Sequence, residues 1–86
     1  MASIEEVRAG IMRANESANE ALGAVQQAHA SLEQAQGALM NATEGSGQAD
    51  AQEAVGLLTQ AVGNIQEVQQ QVSAAIRASE DVADRL

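Results

Sequence analysis

The chain has 86 residues with no cysteine, no proline and no Phe, Tyr or Trp, and its 12 Asp and Glu against 4 Arg give a net charge of -8. These counts exclude disulfides, thiolate metal sites and the aromatic platforms that hold single-stranded nucleic acid. The acidic balance repels phosphate backbones and anionic lipid surfaces, and no run approaches the ~18 apolar residues of a membrane span.

A single all-α domain over residues 1–86 is expected, because nothing but glycine interrupts helix formation in a proline-free chain. The N-terminal segment Met1-Ala2-Ser3-Ile4-Glu5-Glu6 lacks the basic and apolar regions of a signal peptide. A cytoplasmic location follows as the expectation, compatible with export routes that take folded helical substrates.

The first helix is predicted over about 3–44. Ser3-Ile4-Glu5-Glu6 reads as a capping box, with the serine hydroxyl accepting from the amide three residues on. Apolar residues then recur in a heptad labelled a to g. Positions a are Ile4, Ile11, Ala18, Val25, Leu32 and Leu39, and positions d are Val7, Ala14, Ala21, Ala28, Ala35 and Ala42.

The reversal is predicted at 45–47, within Glu44-Gly45-Ser46-Gly47, the only cluster of turn chemistry. Glycine there can adopt the left-handed conformation that ends a helix. The second helix is predicted over about 48–84, with Ala51, Leu58, Ile65, Val72, Ser79 and Leu86 at a and Ala54, Ala61, Val68, Ala75 and Val82 at d.

An antiparallel hairpin must oppose a on one helix to d on the other at a fixed register. Setting Val25 against Val68 and Ala28 against Ile65 closes every layer, out to Val7 against Leu86. The midpoint of that register falls between Ser46 and Gly47, where glycine chemistry independently places the turn. The predicted fold is therefore an antiparallel, coiled-coil-like two-helix hairpin, and its alanine-rich seam removes so little area from water that pairing of two hairpins into a four-helix bundle is expected.

Beside this seam, the e positions offer Leu22, His29, Val55, Val62 and Ile76 along one flank. A solvated flank would carry charge there, so these five residues are the predicted protein interface. The competing reading is that they only widen the hairpin's own seam. His29 is the only histidine and has no second His or Cys to make a metal site, and no nucleophile to serve. Most charged residues fall on outward b, c and f positions, with Arg13–Glu16 and Asp81–Arg85 at helical-neighbour spacing.

No catalytic residues, metal ligands or cofactor are predicted: the chain has no Lys, Cys or Tyr, and no phosphate-binding loop. The expected partner is a second copy, as a homodimer, or another helical protein. Nucleic acid, membrane and small-molecule substrates are not expected.

The hairpin of this length, reversing at Glu44-Gly45-Ser46-Gly47, resembles in architecture the WXG-type small proteins exported as dimers by type VII secretion systems. Trp-x-Gly stands in that family where this chain has Glu44-Gly45-Ser46-Gly47. The segments Ala42-Thr43-Glu44-Gly45-Ser46-Gly47-Gln48-Ala49-Asp50 and Ala74-Ala75-Ile76-Arg77-Ala78-Ser79-Glu80 are similar to a family of small actinobacterial helical-hairpin proteins to which no activity is assigned. The first resemblance implies a heteromeric role as a secretion-associated partner. A chaperone or an acidic immunity protein that neutralises a basic toxin fits the charge equally.

Overall fold

The computed structural model describes residues 3–45 and 47–86. Two helices, α1 (Ile4–Ala42) and α2 (Ala49–Arg85), pack antiparallel along their lengths. Among the described residues there is no strand.

Each helix boundary has a local cause. Ser3 is extended (φ -72, ψ 164), and its Oγ accepts the Glu6 amide N–H at 3.1 Å, which satisfies one of the amides that a first helical turn leaves open. Glu5 and Glu6 lie in that turn, where the exposed amides favour negative charge. At the other end α1 stops at Ala42, two residues short of the expected Glu44. Thr43 explains the difference: its hydroxyl donates to the Leu39 carbonyl at 2.8 Å, and its amide reaches the same carbonyl at 3.0 Å. Gly45 then takes φ +80, the left-handed conformation that glycine adopts without steric cost. Ser46, part of the expected reversal, lies outside the described residues. Extended Gln48 leads into α2, which carries Asp50 in its first turn and Arg85 in its last, both favourably placed for the helix dipole.

The molecule is a rod of 64 × 18 × 15 Å with a radius of gyration of 19.4 Å. A compact chain of this length has a radius near 12 Å. With two helices and no third layer, only one seam is available for burial.

That seam is rotated from the predicted one. In α1 the less exposed residues recur as Ile11, Asn15, Ala18, Leu22, Val25, His29, Leu32, Gln36, Leu39 and, in the cap, Thr43. In α2 they recur as Ala51, Val55, Leu58, Val62, Ile65, Gln69, Val72, Ile76, Ser79 and Ala83. Both series are a and e positions, whereas at d only Ala28, Ala54 and Ala61 are half-buried and Val7, Ala14, Ala21, Ala35, Ala42, Val68, Ala75 and Val82 are exposed.

The Gln36 side-chain amide donates to Thr59 Oγ1 at 2.7 Å and ties the two helices together across the seam.

The physical reason is area. The e columns hold Leu22, Val55, Val62 and Ile76, whereas the d columns are mostly alanine, and burial stabilises in proportion to the apolar surface removed. Turning e inward also brings in Asn15, His29, Gln36 and Gln69, long or polar side chains whose stems pack while their ends reach the rim.

Ile76 is the most enclosed side chain described, at 7% exposure. Its replacement by alanine is expected to destabilise the chain by about 2–4 kcal/mol, against under about 0.5 kcal/mol for Met12→Ala, as read from thermal unfolding in dilute solution.

Glycine substitutions should divide by backbone conformation. A Cβ added at Gly23, Gly37 or Gly56 meets nothing within 4 Å. Alanine at each is expected to stabilise by about 0.5–1 kcal/mol, and Gly45→Ala to destabilise by about 1 kcal/mol, in the same unfolding measurement.

Candidate protein-interaction surface

The five residues expected to form a docking flank are placed by α1 and α2 in the seam between them. Ile76 is buried, and Leu22, His29, Val55 and Val62 are half-buried. These positions contribute to the hairpin's own seam.

Two of the five still reach the surface at the edges of shallow, open clefts. Leu22 sits with Gln26, Gln69, Gln70, Ser73 and Arg77, and Val55 with Met40, Thr43, Ala51 and Gln52. Both clefts lie on the side of the seam that carries the b columns, and both are too open to dehydrate a small ligand.

His29 is held between the helices with 19% of its side chain exposed. Its Nδ1 lies 2.8 Å from Glu33 Oε1, one turn on along α1. Its Nε2 is enclosed and has no hydrogen-bonding partner. A buried polar atom in that state opposes folding, since the water it loses is not replaced. Among the described residues no three His, Asp or Glu side chains converge to hold a metal ion.

The spacings Arg13–Glu16 and Asp81–Arg85 do not close into ion pairs. These are exposed, flexible side chains for which solvation competes evenly with pairing. Met12 and Met40 stand outside the seam at 59% and 52% exposure.

With the e positions turned inward, the d positions of both helices come to the opposite side of the seam from the clefts. There they form one face, exposed at eight d positions and half-buried at Ala28, Ala54 and Ala61. It presents Val7, Val68 and Val82 at 39%, 38% and 40% exposure among the alanines of the d columns. The neighbouring g column adds Ala24, Ala38 and Ala78, with Leu57 at 60% exposure. Neither d column contains a charge, and the adjoining g columns contain only Asp50 and Arg85, at the two ends. The other outward columns carry nearly all the acids.

This face was hidden in the sequence because its residues match a coiled-coil seam in type. The signal that could have revealed it is size: the d columns are almost all alanine, while the e columns hold the large aliphatics.

Charge also divides lengthwise. Arg8, Arg13, Arg77 and Arg85 all lie toward the open end of the hairpin, among the acids Glu5, Glu6, Glu16, Glu20, Glu80, Asp81 and Asp84, whereas Glu33, Glu44, Asp50, Glu53 and Glu67 lie toward the turn with no Arg among them. No helix among the described residues is long and apolar enough to cross a membrane.

No protein family, no curated protein and no solved structure matches the chain.

Replacing His29 removes the orphaned nitrogen while keeping an apolar stem in the seam. His29→Leu is expected to raise stability by about 1 kcal/mol at neutral pH, measured by urea unfolding beside the wild type.

Proposed function

We propose that this chain is a non-enzymatic protein-interaction module, a helical hairpin that self-associates as a homodimer to build a four-helix bundle. The observation that carries this reading is the surface left uncovered. The folded chain exposes 6194 Å². A compact protein of 8.8 kDa exposes about 4,800 Å². The difference, of order 1,400 Å², is surface that a single rod has no means of hiding.

Absence of catalysis follows from chemistry rather than from shape alone. The chain has no Lys, Cys or Tyr, and its carboxylates are spread singly over outer columns of two helices. What remains for function is surface, and packing one helix pair against another is the use that surface suits. Such a dimer would work in the cytoplasm or be exported already folded.

The acid-only turn end favours a second reading, in which the occupant is a different helical protein with a basic surface, as in a secretion partnership, a chaperone complex or an inhibitor bound to a basic toxin.

Sedimentation equilibrium separates the two. At tens of micromolar, self-association gives a mass close to twice 8.8 kDa. A monomer at that concentration would overturn the homodimer, and a monomer that gains helicity when the product of a neighbouring gene is added would establish the heteromeric reading.

A further inference from the structure

We propose that the second copy docks on the Ala/Val face formed by the d columns, and that the two rods run antiparallel, the turn end of each beside the open end of the other. This inference rests on self-association and adds the face and the orientation.

The choice of face follows from elimination over the rod. The a and e columns are consumed by the hairpin's own seam. The b, c and f columns carry nearly all the acids, so packing two copies there would desolvate like charges. The face bearing Val7, Val68 and Val82 remains, uncharged along its d columns and exposing those valines to water.

Area supports the same occupant. Each chain exposes of order 1,400 Å² more than a compact protein of its mass, and an ordinary specific interface takes about 800 Å² from each partner, with obligate dimers taking more. One long side of a 64 × 18 × 15 Å rod is large enough to supply this. A second copy brings the same length and the same uncharged face, which makes the contact self-complementary.

The orientation rests on where the cations lie and on side-chain volume. In a parallel pair, Glu33, Glu44, Asp50, Glu53 and Glu67 of both copies would crowd one end with no cation among them. Turning one rod end over end instead sets that cation-free end beside the open end of the second copy, where Arg8, Arg13, Arg77 and Arg85 offset four of the seven acids Glu5, Glu6, Glu16, Glu20, Glu80, Asp81 and Asp84.

Size follows the same division. Val7 and Val82 lie toward the open end, and Ala35, Ala42, Ala54 and Ala61 lie toward the turn. An antiparallel pair sets valine against alanine, Val7 near Ala42 and Val82 near Ala61 of the second copy, so that volume is even along the contact. The two-fold axis then passes between Ala21 and Ala28 on α1 and between Val68 and Ala75 on α2.

The absence of cysteine allows a clean measurement. A spin label on Glu44→Cys marks the turn of each copy, and the distance between the two labels in the dimer reads the orientation. The expected separation is about 60 Å, the length of ~40 helical residues at 1.5 Å each. A separation below about 25 Å would show parallel rods and overturn the orientation.

The face is tested by charge. Ala35→Glu and Ala75→Glu, both exposed in the single chain, should weaken the dimer by about a hundredfold or more, whereas Gln27→Glu on an outer column should leave it unchanged. Glutamate variants that stay dimeric with wild-type affinity would overturn the face while leaving self-association standing. A monomeric wild type would overturn self-association itself. Should the glutamate variants lose helicity together with mass, a leucine at Ala35 decides: tighter or unchanged association with the same label distance supports the face, and a dimer in which residue 35 stays accessible to a thiol reagent as Ala35→Cys overturns it.

Discussion

One aliphatic seam between two helices holds this molecule together. With no aromatic side chain and no cysteine to add to it, the seam has to extract what burial it can from Leu, Ile and Val. That requirement explains the rotation of each helix. Aligning the alanine columns would bring the backbones close but remove little surface from water, whereas turning in Leu22, Val55, Val62 and Ile76 removes more at the cost of enclosing His29, Gln36 and Gln69. The polar residues are tolerated because two of them find partners at the rim, Gln36 on Thr59 and His29 on Glu33.

Much of the fold was legible because its causes are local. A serine followed three residues later by glutamate marks the start of α1, and a glycine cluster in a proline-free chain marks the reversal, since each depends only on hydrogen bonds and dihedral angles within a few residues. The alternation of two helices in one hairpin was legible for the same reason. The seam was not. Heptad patterning treats alanine and leucine alike as apolar, and here the a columns satisfy it with either d or e beside them. Deciding between the two needs a comparison of areas across both helices at once, which a one-dimensional pattern does not contain. Of the five residues assigned to a docking flank, Leu22, Val55, Val62 and Ile76 are apolar, and each of the five is at least half-buried. The water they avoid is excluded by the opposite helix.

Rotation of the seam also redistributes what the outside of the rod can do. Residues that look like core become a smooth, uncharged side. The two shallow clefts fall on the other side, among glutamines and serine. The result is a rod with unlike faces, one small and apolar, one polar, and an outer rim of carboxylates. Helical glycines at Gly23, Gly37 and Gly56 sit on that outer rim with open space around them, and the structure gives no packing reason for their choice.

The left-handed turn at Gly45 has a geometric consequence for anything joined to this chain. Because α1 and α2 are nearly equal in length, the chain enters and leaves at one tip of the rod, and the opposite tip is a closed bend some 60 Å away. A domain fused before α1 and another fused after α2 would be neighbours, held at the base of a rigid stalk. Two such stalks laid head to tail would carry their cargo at opposite poles, and the module would then act as a strut of fixed length between them.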